Sequence, residues 1–525
     1  MGCCSSSKKA TPSHEFIPGY QFQGEVVFRE FSTKEEYDEH RYQYATTSLS
    51  DEVIRPAIIA YAASEEDIKQ TIKFAKEKNV AVSIRTGNNY DSFSEVVILH
   101  LIQWNSKLEI GGHSYCGSSS TSGPNIQLDV SRAFSSDADF KYFEVENGTP
   151  RVRIGISFPL IELNKKLGAL GLFVPHGVCE NVHVGGHSHT GGYGMMYRSF
   201  GLFGDHIRSF EIITADAEKV TVTRESNPEL FFAVLGGCPG NFGVLTHIVI
   251  EPYRDVDHPN SRGLLGVYLY DKDRLNRLLQ FGVDMSYDTS LAKDFDYSVT
   301  VMSWSQDFVD IYPNMDNHMR KRHPEVFTPL VEQSVVTPNV IIVAAQWANT
   351  GGAAQIYDDS VAAWFAQVRA AADGVNITSV PILHSALSSP YIDSHDFTPL
   401  SKLSKSWMFL KIREYEYPYI KSTYSCMEPV APSAAFSASL TGLIDEVQSN
   451  LTGTECKIGM QFQAQGVASQ TRENSGNGTA YQWRDVNLTV LPDIWYGPSP
   501  GRRPGASRRT GRRGPTRPSS ESRVC

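Results

Sequence analysis

Apolar and polar positions fall into two textures along the chain. Up to about residue 250, short β-branched runs alternate with amphipathic and glycine-rich stretches. Ile58-Ile59-Ala60-Tyr61 reads as a strand. Ser64-Glu65-Glu66-Asp67 then opens a helix, with a serine to cap the free amides and acids to meet the positive end of the helix dipole. Its apolar face runs through Ile68, Ile72, Phe74 and Ala75. Residues 80–85 form a buried strand, and the strand–helix–strand order implies an α/β unit. Further strands are expected at 125–131, 209–214 and 244–250, and residues 10–50 read as a wrapping segment. Beyond Pro252, strand-like runs (263–270, 297–304, 340–346) alternate with helical ones (272–281, 353–372), which predicts a second α+β domain lying on the first.

A chain of 525 residues is longer than one core usually serves. The expected partition is an N-terminal segment at 1–48, a cofactor domain at 49–255, a substrate domain at 256–495 that returns to the first, and a tail at 496–525. The formal charge of -10 excludes nucleic acid as the main partner. The tail differs. Its eight arginines against Glu521 give +7, and with so few apolar residues it is expected to stay disordered. The eight cysteines are scattered, with no spacing for zinc and too few for a disulfide scaffold. The N-terminus lacks the apolar run of a signal peptide, so a cytoplasmic location is expected. Met1-Gly2-Cys3-Cys4 fits myristoylation on Gly2 and palmitoylation on Cys3 and Cys4; two acyl chains would anchor the chain to a membrane, and a disordered polar start is the plainer reading. Oligomeric state is not legible.

Three glycine-rich loops carry the candidate chemistry. The first is Gly111-Gly112-His113-Ser114-Tyr115-Cys116-Gly117. The second runs from Gly177 through Cys179, Val182, Gly185-Gly186 and Gly191-Gly192 to Tyr193-Gly194. The third is 236–244, ending in Asn241-Phe242-Gly243-Val244. Bare backbone lets amides approach an anion in a concave nest, and three such loops in one α/β domain suit a dinucleotide with its pyrophosphate. None matches the Gly-x-Gly-x-x-Gly strand-to-helix fingerprint or a Walker loop. His183, His187 and His189 could be read as a metal cluster. On an extended strand only His187 and His189 would share a face, and no carboxylate or cysteine completes the set, so no metal is expected.

At these residues the chain resembles the berberine-bridge-enzyme-like FAD-linked oxidoreductases, of the vanillyl-alcohol-oxidase or PCMH-type superfamily. Arg85-Thr86 followed by Gly111 to Tyr115, the Cys179 loop, Gly240 to Val244, and Tyr481-Gln482-Trp483-Arg484 match the family in order and spacing, over roughly residues 40–490. The resemblance implies an α+β fold: a PCMH-type two-subdomain FAD-binding domain plus an α+β substrate domain with an antiparallel sheet. It implies FAD bonded through His113 and, in the same way, Cys179. Arg85, Thr86, Gly111, Gly112, Ser114, Gly185, Gly186, Gly191, Gly192, Asn241, Gly243 and Val244 would contact it. Imidazole and thiolate are apt nucleophiles for an electron-poor ring. Tyr193 falls where the family places a tyrosine that activates the substrate hydroxyl; a packed loop aromatic is the alternative. Lys421 is a further candidate for the same cavity, with surface exposure the plainer fate for a lysine. Val182 falls at the oxygen-gate position, which resembles the oxidases, so oxygen is the expected acceptor of hydride taken from an alcohol, sugar or secondary metabolite.

Two departures stand against this pattern. Residues 87–110 intervene where the family runs from Arg-Thr directly into Gly-Gly-His; removing them restores Arg-Thr-Gly-Gly-His-Ser-Tyr, so they read as a retained intron, with a genuine bulging loop as the alternative. After Trp495-Tyr496-Gly497 the Arg-rich tail replaces the family's closing segment. Both motivate a second reading, a catalytically silent protein that keeps the fold.

Overall fold

The computed structural model describes residues 16–41, 53–87, 114, 117–237, 240–302, 339–372, 394, 396–408, 419–427, 430–451 and 457–495. The first sheet has four strands: β1 (Glu25–Phe28), β2 (Ile58–Tyr61), β3 (Val82–Arg85) and β4 (Ile126–Asp129), in the order β1-β2-β4-β3. The strands β2, β4 and β3 run parallel, and β1 closes one edge antiparallel to β2. Parallel neighbours need a crossover, and the helix Glu65–Lys78 supplies it between β2 and β3. Its cap is the expected one: Ser64 Oγ accepts from the Asp67 amide at 3.2 Å. The wrapping segment is more ordered than its composition suggests, since it contributes β1 and the helix Lys34–Arg41.

The second sheet is antiparallel, with β5 (Phe140–Glu144), β6 (Pro150–Gly155), β8 (Ile207–Ile213), β9 (Lys219–Thr223) and β10 (Val244–Ile250) in the order β5-β6-β10-β8-β9. Two short strands, β7 (Leu172–Phe173) and β11 (Tyr253–Arg254), pair beside it. One apolar core joins these sheets: Leu128 and Val130 from the first pack with Ile154, Phe210, Ile212 and Ile248 from the second.

The third sheet comprises β12 (Arg262–Leu269), β13 (Phe295–Met302), β14 (Val340–Trp347), β15 (Tyr419–Lys421), β16 (Tyr424–Cys426), β17 (Lys457–Ala464) and β18 (Leu488–Trp495). Its order is β12-β14-β13-β17-β18-β15, antiparallel throughout, with β16 also on β18. The helices Lys272–Tyr287, Asp359–Ala372 and Ala435–Leu451 cover it. Leu275, Leu278, Leu279 and Val283 recur at helical spacing and are almost fully buried against Val299, Val343 and Phe462. Truncating one of these leucines to alanine costs about 2–5 kcal/mol. The α+β class therefore holds, with a mixed first sheet and an antiparallel third.

The seam between the two halves is polar. Asp296, on β13, accepts from the backbone amides of Arg198 (2.9 Å) and Ser199 and from the Ser199 hydroxyl. Gln346 on β14 adds a donor to Asp296 at 3.0 Å and accepts from the Trp407 indole at 2.8 Å. A second cross-link joins Arg484 to Asp205 at 2.7 Å, with Asn474 and Asn477 donating to the same carboxylate. Among the described residues, no helix is long and apolar enough to cross a membrane.

Candidate active site

The second and third glycine-rich loops meet the end of β3, at Gly185 and Gly240. Arg85 and Thr86 leave β3 at this place. The Thr86 methyl lies 2.9 Å from where a Cβ on Gly185 would stand, so only glycine admits that approach. The Gly185 amide is anchored to the Ile156 carbonyl at 2.8 Å. Ile84 on β3 is the near neighbour of Gly240 in the third loop, 3.7 Å from its Cβ position. Tyr481 ties the other ends together, its ring over Gly191 and its backbone against Gly236. Gly191 has φ +88°, a region closed to most side chains, and its Cβ would stand 2.5 Å from the Tyr481 ring. Gly192 follows at φ +72°. Gly243, at φ +138°, brings β10 against the Ile213 carbonyl, where Val244 is buried.

The sequence 183–194 is not extended as the histidine spacing assumed. Val184–His189 is a short helix, which puts His187 and His189 on different neighbours. His187 Nε2 accepts from the Gly177 amide at 3.0 Å. His183 Nδ1 meets the Asn181 carbonyl at 2.9 Å, while His183 Nε2 and both ring nitrogens of His189 are buried without a partner. Burial pushes all three well down, to about 4, 3 and 4 for His183, His187 and His189, so they are neutral imidazoles. Among the described residues, donor atoms gather as a metal would need only at Glu65, Glu211 and His247. There the Lys219 ammonium already bridges both glutamates, at 2.6 and 2.7 Å.

The same helix offers a cradle. Val184, Gly185, His187, Ser188 and His189 are buried, yet Gly186 is exposed and has nothing within 4 Å of its Cβ position. Open space beside bare backbone, together with orphaned imidazole nitrogens, fits a planar cofactor lying along this helix. Asn241 is exposed on the third loop and free to reach such a ligand. Ser114 Oγ bonds Ser118 Oγ at 2.6 Å and accepts from the Ser118 amide, closing the turn after the first loop. Gly111, Gly112 and His113 lie outside the described residues, as does all of 88–110. Arg85 has a structural part of its own. Its guanidinium is fully buried, pairs with Asp129 through Nε, and donates to Tyr61 Oη at 3.2 Å and the His40 carbonyl at 3.0 Å. It fixes β3 to β4 and so holds Thr86 in place.

Around Cys179 the third sheet completes the site. The thiol is half-buried and free. Burial pushes it up to about 11, Lys421 pulls it down, and Asp493 and Glu180 push it up. Lys421 is on β15 and Asp493 directly opposite on β18; they pair at 2.9 Å. The lysine is thus largely buried and part of the site. Burial raises Asp493 above the usual carboxylate range, partly offset by Lys421, and its Oδ1 is buried with no partner. Tyr193 stands in the same field: burial, then Tyr481, Asp493 and Cys179, push its phenol well above the usual value. Tyr481 is raised to about 12, chiefly by burial. Both phenols are therefore neutral donors, and the basic role needs another group. Asp493 is the carboxylate that stands in this field, and it was not legible beforehand, because an aspartate inside a strand-like run carries no motif. Val182 packs half-buried against the core beside this cluster.

Comparisons with known proteins bear on the fold and on one domain. An FAD-binding domain family matches residues 109–223, a span that starts just before Gly111 and includes Cys179 and Tyr193. The chain is similar to the FAD-linked oxidoreductase ZEB1 of Gibberella zeae, 28% identical over 200 residues, 37% of this chain and 31% of that protein. It is also similar to (R)-6-hydroxynicotine oxidase of Paenarthrobacter nicotinovorans, 27% identical over 250 residues, 47% of this chain and 44% of that one. The match spans about a third of the length of the first of these relatives and under half of the second. In structure, the chain is similar to berberine bridge enzyme from Eschscholzia californica, with TM-score 0.59 at 17% identity over 90% of this chain and 77% of the other. Its likeness to 6-hydroxy-D-nicotine oxidase from Arthrobacter nicotinovorans has TM-score 0.56 at 17% identity, covering 92% and 83%.

Proposed function

Starting from an FAD-binding domain set in the fold of berberine bridge enzyme, we propose that this chain is an FAD-linked oxidase of alcohols, sugars or secondary metabolites. The observation that carries the reading is the meeting of Cys179, Tyr193, Tyr481 and the Lys421–Asp493 pair in one buried cluster. His113 and Cys179 would hold the cofactor covalently. Gly185, Gly186, Gly191, Gly192, Asn241 and Gly243 would line its bed, with Gly111, Gly112 and Ser114 on the first loop. Bound FAD supplies a two-electron acceptor that takes hydride from carbon and yields the electrons to oxygen, giving hydrogen peroxide.

The residues of the chain divide the remaining work. Asp493 Oδ1, buried and unpartnered, accepts the proton from the substrate hydroxyl or amine. Lys421 holds the other carboxylate oxygen at 2.9 Å and keeps Asp493 from becoming a permanent acid. Tyr193 and Tyr481, kept protonated, donate hydrogen bonds that orient the substrate oxygen. Val182 leaves room for oxygen to approach.

The test is the absorbance spectrum of denatured, washed protein. Retained flavin colour supports covalent attachment, and its absence defeats it. Colour that survives in His113→Ala with Cys179→Ala shows that other residues make the bond. Flavin colour without oxygen consumption, over a panel of alcohols and sugars, favours the silent FAD-fold reading over the oxidase.

A further inference from the structure

A cleft of about 600 Å³ opens on the helical side of the third sheet, between the helices Lys272–Tyr287 and Asp359–Ala372. The volume is that of a pocket for a small organic molecule. It lies apart from the Cys179 cluster and shares no residue with it. Its walls are of two kinds. The floor is aromatic, from Phe281, Phe295, Trp347 and Trp364, with the Phe295 and Trp364 rings 4.8 Å apart. The rim is acidic, from Asp284, Asp288 and Asp358, and Asp294 lies deeper.

Lysine and arginine are absent from the lining. The carboxylates are held by neutral donors: Asp284 by Gln280 (2.7 Å), Asp288 by Ser290, Asp294 by Gln355 (2.6 Å) and Thr350, and Asp358 by Ser360. Of the nearby cations among the described residues, only Arg198 reaches these acids, its charge acting on Asp288 and Asp294 from below. Arg198 is buried beneath the 288–294 loop, where it donates to the carbonyls of Leu291 (3.1 Å) and Ala292 (2.8 Å). Lys293 turns away to Gln470 (2.6 Å) and Glu473. One further feature marks the surface. Ile356, 66% exposed, stands on the rim as an uncovered apolar side chain.

We propose that this cleft binds a small organic cation, an amine with an aromatic or alkyl body. Four carboxylates against the one buried Arg198 charge favour a cation, and the aromatic floor favours one with an apolar body and an ammonium able to lie over a ring face. A bare metal ion is a poorer fit, because among the described residues these carboxylates do not gather their oxygens as a metal site would.

The test is calorimetric titration of the full chain with 2-phenylethylammonium and, separately, with 3-phenylpropionate, which has a similar body and the opposite charge. The ammonium ion is expected to give saturable heat with Kd below about 1 mM, and the carboxylate at least about tenfold weaker binding. Asp284→Asn with Asp358→Asn changes two exposed rim groups and is expected to weaken the ammonium about fivefold. Its thermal melt should match that of the parent. Tyr193→Phe with Cys179→Ala should leave the binding unchanged, which separates the cleft from the flavin site. Equal affinity for the two probes, absence of saturable heat with the ammonium, full affinity in the rim variant, or loss of binding in the Tyr193/Cys179 variant would each overturn the proposal.

Discussion

Lys421 and Asp493 face each other across the β15–β18 ladder and form an ion pair at 2.9 Å, with Cys179 within reach of both charges. Burial raises the carboxyl and the lysine opposes that rise. In Lys421→Met the opposition goes, so Asp493 rises further and is deprotonated only at higher pH. The acid limb of the kcat/KM profile is expected to move upward in that variant. Asp493→Asn is expected to remove the limb and lower kcat by about 10²–10⁴-fold. An unmoved acid limb in Lys421→Met would separate the pair from catalysis.

Cys179 sits in the same field. Removing the lysine leaves burial, Asp493 and Glu180 all pushing the thiol up from its value of about 11. Less thiolate means slower bond formation. Lys421→Met is therefore expected to accumulate flavin held by one covalent bond in place of two. Mass spectrometry of flavin-bearing peptides reads this directly.

Gly191 carries a steric prediction. Alanine there meets the Tyr481 ring at 2.5 Å and must adopt φ +88°. The two effects together are expected to destabilise the protein by about 2–4 kcal/mol and to displace Tyr481. Denaturant unfolding measures the first, and loss of flavin incorporation the second. Gly186→Ala meets no atom, so it should leave stability near the parent while still impeding the cofactor.

Asp129 is buried at 0% exposure with Arg85 as its counter-ion. Arg85→Met leaves that carboxylate uncompensated, at a cost of about 3–5 kcal/mol. Restoring stability with Asp129→Asn in the same chain would show that the unpaired charge, and not lost packing, is responsible.

Asp296 predicts a pH dependence. Burial raises it to about 7, against hydrogen bonds from Ser199 and the charge of Arg198, which lower it. The folded state therefore holds this proton more tightly than the unfolded one. The stabilisation it brings is complete below the ordinary carboxylate pKa and is lost as pH rises through about 7. The melting temperature should decline from pH 5 to pH 8, and the decline should flatten in Asp296→Asn.

The sequence made much of this architecture legible where local chemistry was decisive. Ser64 with its three following acids announced the helix Glu65–Lys78, and the apolar runs at 58–61 and 244–250 fell on strands with matching bounds. Cys179, Tyr193 and the glycine pairs stand out in the sequence because bare backbone and nucleophiles form motifs. Three things were hidden. The histidines at 183–189 suggested an extended strand, whereas tertiary packing bends Val184–His189 into a helix. Asp493 carried no local signal, since its importance comes from strand pairing with Lys421, 72 positions earlier. The ion pair of Arg85 was hidden for the same reason: its partner Asp129 lies 44 residues on, beyond the intervening stretch.

The position of β18 in its sheet has a consequence for biogenesis. It is an inner strand, held between β17 and β15, and it bears Asp493. While the ribosome is still building the chain, β17 has an open edge and Lys421 lacks its counter-charge. Formation of the Lys421–Asp493 pair therefore waits on the docking of β18 beside β15, a contact between segments far apart in the chain.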